Sequence, residues 1–156
     1  MKIIYIHHGH RKRGNPPGEN DDLTEIGYRD CETVSMLLDI LPQKDKIKAI
    51  YCSPYKRCKI TAEIINKNLG LNIILDDRLN EYNFKTETWV EAQNRITDCI
   101  DDIVNKFDED DFVVCVTSGF NVGPFITKAY NLPIKDSNPQ FGIPSCSPIV
   151  FEHKKE

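Results

Sequence analysis

The run Phe-Val-Val-Cys-Val-Thr at residues 112–117 constrains the fold of this chain more than any other segment. It leaves no polar face, and such continuous apolar runs are typical of strands that are buried on both sides in a parallel sheet. Residues 2–6 and 47–52 also predict strands, and residues 72–75 and 149–151 predict two further strands, the last at an edge. We therefore expect helices on both faces of a central sheet.

Between these runs, apolar residues recur at the spacing of amphipathic helices. The clearest stripe consists of Trp89, Ala92, Ile96, Cys99, Ile103 and Phe107. Strands that alternate with helices predict an α/β fold with a mostly parallel sheet. A chain of 156 residues is long enough for one substantial core. We expect residues 1–156 to form a single domain, a three-layer sandwich.

Local signals set the expected helix ends. Thr24 is a good N-cap for the first helix, and Pro42 ends it. Ser53 is expected to cap the second helix with Pro54 at its first position, and Gly70 to stop it. The polar residues 9–22 are expected to form a loop.

Composition excludes several function classes. The net charge of -4 argues against a nucleic-acid partner, and no apolar run approaches the ~20 residues that span a bilayer. The N-terminal stretch becomes charged too early for a signal peptide. Six cysteines without a C-x-x-C pair are expected to be free, buried thiols. Together these features predict a cytoplasmic protein without a membrane partner.

Three histidines, His7, His8 and His10, follow the first predicted strand. An imidazole there can serve as a nucleophile, a general base, a metal ligand or an anion binder, or as a hydrogen-bonded structural residue. His8 and His10 are placed to share a face. No cysteine or carboxylate is spaced nearby as a further ligand, so we expect no metal site.

Other polar residues also follow predicted strands, and ligands of such sheets bind beyond the carboxyl ends of the strands. Arg57 lies in the first turn of a helix, whose free N–H groups favour phosphate or carboxylate. The alternative for Arg57 is a solvated surface arginine. Glu81 is either a loop carboxylate or, beside a phosphate, a general acid. Ser118 follows the central strand at the same rim.

Five segments, in this order, resemble the histidine phosphatase superfamily, also called the phosphoglycerate mutase-like family. They are His8-Gly9, Leu-Thr-Glu-Ile-Gly at 23–27, Ser-Pro-Tyr-Lys-Arg-Cys-Lys-Ile-Thr-Ala-Glu at 53–63, Leu-Asn-Glu at 79–81, and Val114 to Gly119. The segment at 53–63 is the most specific of these. The resemblance runs from residue 2 to about residue 151.

The resemblance implies a phosphatase that works through a phosphohistidine. His8 matches the histidine that attacks phosphorus, and Arg57 matches one of two arginines that hold the phosphoryl oxygens. Glu81 matches the acid that protonates the leaving oxygen. The resemblance implies no metal and no organic cofactor. The implied partner is a phosphorylated small molecule or a phosphoprotein.

Two positions depart from the family pattern. The family has Arg-His-Gly where this chain has His7, and a second histidine where this chain has Ser118 before Gly119. Both positions would complete the phosphate cage, to which we assign His7, Ser118 and Gly119. The loss of two such charged donors costs roughly 10⁴-fold in rate if the two effects add.

Three compensations are open. An anion nearby raises the pKa of a histidine, so His7 is able to carry the missing charge. Ser118 still supplies one hydrogen bond. Arg11, Lys12 or Arg13 in the following loop is able to fold over the phosphate, and among them we select Arg11.

Two functions fit these residues. One is a phosphohydrolase with weakened or altered activity, and the other is a catalytically inactive pseudo-phosphatase that binds a phosphorylated ligand or protein. Larger members of the family carry a longer insert near the stretch between Glu81 and Trp89, where this chain has only seven residues. The resemblance therefore implies an open site, suited to an exposed phosphoryl group on a protein or to a bulky ligand. Phe141 is a further candidate residue beside the pocket.

Overall fold

In the computed structural model, which describes residues 1–135 and 142–154, strands and helices alternate along the chain. The strands are β1 (Lys2–His7), β2 (Arg11–Lys12), β3 (Asp22–Leu23), β4 (Ile47–Cys52), β5 (Ile73–Leu75), β6 (Phe112–Thr117) and β7 (Pro148–Glu152). The helices are α1 (Glu25–Asp39), α2 (Lys56–Ile65), α3 (Trp89–Lys106) and α4 (Val122–Ala129). Short 3-10 turns lie at Lys44–Lys46, Asp77–Leu79 and Gly119–Asn121.

Five strands form one sheet in the order β5-β4-β6-β1-β7. β1, β4, β5 and β6 are parallel, and β7 runs antiparallel to β1 at the edge. β6 pairs with both β1 and β4, and its residues 113–117 are fully buried. The prediction of a mostly parallel sheet around this strand is confirmed.

The core has two halves, one on each face of the sheet. Ile3 and Tyr5 of β1 pack with residues of α3 and α4, whereas Ile4 and Ile6 pack with residues of α1 and α2. This alternation follows from the two-residue period of a strand. The α/β three-layer sandwich is therefore confirmed, with two helices on each side.

Three local expectations need correction. α2 begins at Lys56 with Tyr55 as its N-cap, so Ser53 does not cap it and Pro54 is not its first residue. The Ser53 hydroxyl instead accepts from the Tyr55 N–H (3.3 Å) and donates to Asn80 (2.7 Å), which tightens a turn before the helix. α2 also ends at Ile65, well before Gly70, and the expected loop at 9–22 contains the β2–β3 pair.

Other expectations are confirmed. The Thr24 hydroxyl accepts from the Gly27 N–H at 3.1 Å and caps α1. All six cysteines are free and buried. Within residues 1–135 and 142–154, no helix is both long enough and apolar enough to cross a membrane.

Candidate active site

The carboxyl ends of three parallel strands bring the candidate residues together. His7 ends β1, Ser118 follows β6, and Arg57 lies in the first turn of the helix after β4. The His8 N–H continues the strand pairing by donating to the Thr117 carbonyl at 2.9 Å. The prediction that these strand ends share one rim is confirmed.

His8 is held as a neutral imidazole with its Nε2 lone pair turned toward Arg57. The Arg57 Nε–H donates to His8 Nε2 at 3.1 Å, and His8 Nδ1 lies 2.8 Å from the Gly9 carbonyl. A carbonyl only accepts, so Nδ1 carries the proton and Nε2 is the unprotonated nitrogen. Burial lowers the pKa of His8 to about 3, and its neighbour His7 acts in the same direction. Neutral imidazole is the nucleophilic form.

Arg57 is the centre of the site. Its side chain is fully buried, and its guanidinium donates in three directions: to His8, to the Gly18 carbonyl (3.1 Å) and to Glu81 Oε2 (2.8 Å). The Tyr55 ring lies 4.9 Å from the guanidinium carbon and stacks as a cation–π partner. Arg57 is therefore not a solvated surface arginine.

Glu81 connects the guanidinium to the end of the central strand. Its Oε2 binds Arg57, and its Oε1 accepts from the Ser118 hydroxyl at 3.2 Å. Arg11 Nη1 lies 3.7 Å from Glu81 Oε2. Among the three loop cations considered, Arg11 reaches the site, while the side chains of Lys12 and Arg13 are exposed.

The loop that carries Arg11 is organised by Asp21, which sequence reasoning missed. Asp21 is buried and accepts from the N–H groups of Gly14 (2.9 Å) and Gly18 (3.1 Å). Its Oδ2 lies 3.7 Å from Arg11 Nη1. In the sequence, Asp21 stands in the polar run Glu-Asn-Asp-Asp, so no signal separates it from solvated carboxylates.

Thr61 was also missed, although it lies inside the most specific segment of the resemblance. Its hydroxyl accepts from the Gly9 N–H (2.9 Å) and donates to the Arg57 carbonyl (2.8 Å). Position 9 requires glycine, because a Cβ there would lie 2.8 Å from Cys31 Sγ and 3.0 Å from the Gly27 carbonyl. This close packing fixes the backbone beside His8.

His7 lies beside His8, with ring centroids 4.5 Å apart. Its Nδ1 is 2.9 Å from the Ile143 carbonyl, and its ring packs directly on Gly119, where a Cβ would approach to 2.8 Å. Burial lowers the pKa of His7, so it is neutral at pH 7 in this state. A charged His7 is thus disfavoured in this environment.

His10 does not join this group of residues. It is exposed, and its Nδ1 lies 3.0 Å from the Thr24 hydroxyl. In the part of the chain that the structure describes, no three histidine, cysteine or acidic residues are grouped to hold a metal ion. Phe141 lies outside the described residues.

A sequence model of the histidine phosphatase superfamily (branch 1) matches residues 8–86. No curated protein sequence matches this chain.

Several solved structures share the fold. YhfR of Bacillus stearothermophilus superposes with a TM-score of 0.76 and 19% identity, covering 96% of this chain and 89% of that one. A mycobacterial glucosyl-3-phosphoglycerate phosphatase gives 0.75 and 18%, covering 96% and 90%. The protein histidine phosphatase SixA, complexed with tungstate, gives 0.66 and 16%, covering 88% and 83%. The chain belongs to the histidine phosphatase superfamily, branch 1.

Proposed function

We propose that this chain is a phosphohydrolase that acts through a phosphohistidine at His8, with an altered phosphate cage. One observation carries the proposal: a single buried guanidinium, that of Arg57, binds both the lone-pair nitrogen of His8 and the carboxylate of Glu81. Nucleophile, phosphate clamp and acid therefore lie within one hydrogen-bonded group. That constellation is what phosphoryl transfer to a side chain requires.

The proposed reaction has two steps. The phosphoryl group enters between His8 and Arg57, and His8 Nε2 forms a bond to phosphorus while the bond to the leaving oxygen breaks. The entering phosphoryl group displaces Glu81 from Arg57, and Glu81, which then takes a proton from solvent, gives that proton to the leaving oxygen. In the second step Glu81 takes a proton from water, whose oxygen attacks the phosphohistidine and releases inorganic phosphate and free His8.

Arg11 is proposed to supply part of the missing charge. Position 7 holds a neutral histidine, and position 118 offers a hydroxyl that is bound to Glu81. Arg11 Nη1 lies 3.7 Å from the same carboxylate oxygen that Arg57 binds. A second guanidinium at this distance is able to clamp a phosphoryl oxygen that displaces Glu81. Activity weakened by up to ~10⁴-fold relative to a complete cage remains the expectation.

The proposed substrate is a phosphorylated protein side chain or a bulky phosphorylated small molecule. Only residues 82–88 separate Glu81 from the start of α3, so the chain lacks a long insert there. Structural neighbours named as a protein histidine phosphatase and a sugar-phosphate phosphatase support both substrate classes. A phosphohistidine peptide and p-nitrophenyl phosphate are suitable first substrates.

The test is to trap the phosphoryl group on the enzyme. After a brief incubation with a ³²P-labelled phosphohistidine peptide, we expect an acid-labile, base-stable label on the native chain. His8→Ala is expected to abolish the label, whereas His10→Ala, in the same histidine run but exposed, is expected to retain it. Equal labelling of His8→Ala and the native chain contradicts the proposal.

The alternative is a pseudo-phosphatase that only binds phosphorylated partners. It is favoured by the Ser118–Glu81 hydrogen bond, because Ser118 stands where the family has a histidine and here only positions the carboxylate. This function predicts phosphate binding in calorimetry that is lost in Arg57→Ala, with no label at any substrate concentration. Detection of phosphohistidine at His8 excludes it.

A further inference from the structure

Two cysteines meet directly behind the candidate active site. Cys31 of α1 and Cys146, just before β7, have their Sγ atoms 3.3 Å apart although they are 115 positions apart in sequence. Both are buried, and Cys146 retains a small exposed fraction of 8%. The proposed function does not use either thiol.

We propose that Cys31 and Cys146 form a reversible disulfide. The sulfur atoms need to approach from 3.3 Å to the ~2.05 Å of an S–S bond, which is a small side-chain movement. Cys146 has a left-handed backbone with φ of 54°, a conformation that is costly for a residue with a Cβ. This strained conformation places the Cys146 thiol against Cys31.

The shifts in the pKa values of the two thiols indicate which sulfur reacts first. The hydrogen bond with Cys146 lowers the pKa of the Cys31 thiol and raises that of Cys146. Cys31 therefore ionises first and is the sulfur that attacks an oxidant, which reaches the pair from the side where Cys146 meets solvent.

A peroxide is the proposed oxidant. The Cys31 thiolate takes an OH group from hydrogen peroxide, which gives a sulfenic acid and hydroxide. The Cys146 sulfur then bonds to Cys31 and displaces the OH group, and the two thiol protons leave in two molecules of water. Dithiothreitol reverses the reaction by disulfide exchange. In a reducing compartment, such pairs are transient and respond to oxidants.

The pair is connected to the site through the backbone. The Cys146 N–H donates to the His7 carbonyl at 2.9 Å, and the Ile143 carbonyl lies 2.9 Å from His7 Nδ1. Cys31 Sγ packs against Gly9 on the other side. A disulfide here therefore ties the segment that holds His7 to the helix behind Gly9.

The experiment uses the full chain and peptide mass spectrometry. The protein is treated with hydrogen peroxide, its remaining thiols are alkylated under denaturing conditions, and it is cut with trypsin. Cys31 is the single cysteine of tryptic peptide 30–44, and Cys146 is that of peptide 136–154, so their linkage is unambiguous. We expect the two peptides as one species, which dithiothreitol separates. Oxidation is expected to raise Tm by roughly 5–10 °C.

Variants supply the control. Cys31→Ser and Cys146→Ser are each expected to lose the linked species and the Tm shift, while Cys99→Ala, buried in α3, keeps both. The linked peptides are detected in the native chain, so this result does not depend on whether a variant folds. Sulfinic acid on Cys31, or a mixed disulfide of Cys146 with added glutathione, without linked peptides overturns the proposal.

Discussion

The Arg57 guanidinium donates its Nε–H to the lone pair of His8 Nε2 across 3.1 Å, although the two residues are 49 positions apart in sequence. This bond fixes the imidazole tautomer, because the other ring nitrogen is engaged by the Gly9 carbonyl. The residue proposed to clamp the phosphoryl group thus also keeps the proposed nucleophile unprotonated. Arg57 therefore contacts the proposed nucleophilic nitrogen of His8 and is also proposed to hold the phosphoryl group that this nitrogen attacks.

Substitution of Arg57 is expected to lower activity more than the loss of a residue that only binds the phosphoryl oxygens. We predict that Arg57→Lys lowers kcat/KM for p-nitrophenyl phosphate by ~10³-fold, because lysine lacks the fork that reaches His8 and Glu81 together. Steady-state kinetics measure the loss, with Arg13→Lys, at an exposed position, as the matched control. Retention of more than a tenth of the activity in Arg57→Lys would falsify this role.

Arg11 is predicted to contribute to anion binding, unlike the two basic residues that follow it. Loss of one charge-assisted contact is worth about 2 kcal/mol, so Arg11→Ala is expected to weaken phosphate binding by roughly 30-fold. Calorimetry with inorganic phosphate measures the change. Lys12→Ala and Arg13→Ala are expected to stay within about twofold of the native affinity. Equal losses in all three variants would instead indicate a general effect of loop charge.

Arginine at position 7, the residue that the family resemblance implies there, is predicted to increase the proposed activity. His7→Arg places a permanent charge beside His8, where the native imidazole is neutral because burial lowers its pKa. We expect kcat/KM to rise by ~10²-fold, which is the typical contribution of one charge-stabilising donor. Turnover of p-nitrophenyl phosphate measures the gain, and His10→Arg controls for added charge. No gain in a correctly folded His7→Arg protein argues for the pseudo-phosphatase.

Stability is predicted to fall as the pH drops from about 6.5 to 4. The pKa of His8 is lowered to about 3 and that of His153 to about 4, in both cases mainly by burial, while both titrate near 6.5 in the unfolded chain. In this window the unfolded chain binds more protons, so acid favours unfolding. Each histidine contributes up to ~1.4 kcal/mol per pH unit.

Urea titrations at pH 4.5, 5.5 and 7 measure this dependence. His153 lies far from the candidate site, and His153→Leu is expected to reduce the slope of unfolding free energy against pH by the contribution of this one histidine. His10→Gln, at an exposed position, is expected to leave the slope unchanged. A stability that is independent of pH across this range would show that these histidines are not buried as neutral groups.

Thr61 is predicted to position the site rather than react. Thr61→Val keeps the shape but removes the acceptor of the buried Gly9 N–H, which costs about 1–3 kcal/mol of unfolding free energy. Denaturant unfolding measures the loss. Thr61→Ser, which keeps the hydroxyl, is expected to recover most of the activity and of the stability, and equal damage by both variants would point to packing alone.

The sequence was sufficient for the sheet and for much of the site. The apolar runs at 47–52 and 112–117 coincide with β4 and β6, because a strand covered on both faces has few polar residues. The rule that ligands bind at strand ends brought His8, Arg57 and Glu81 to one rim. Ser53 was misassigned because its hydroxyl has a distant partner, Asn80, that no local pattern contains.

The remaining features depend on contacts between distant segments. Asp21 gains its role only when the loop closes on the N–H groups of Gly14 and Gly18. The pairing of Cys31 with Cys146 likewise depends on how the last strand returns to β1. Neither of these contacts produces a periodicity or a spacing in the sequence from which it could be predicted.

The Glu81 carboxylate has a consequence for every anion that this protein meets. It already forms an ion pair with Arg57 and lies close to Arg11. In the proposed mechanism, an incoming phosphate must therefore displace this carboxylate before it binds the two guanidinium groups. Weakly binding, non-specific anions are thereby at a disadvantage, since they must displace the Glu81 carboxylate, which is part of the protein itself. Under the proposed function, selectivity for doubly charged phosphoryl groups would therefore be built into the protein before any ligand arrives.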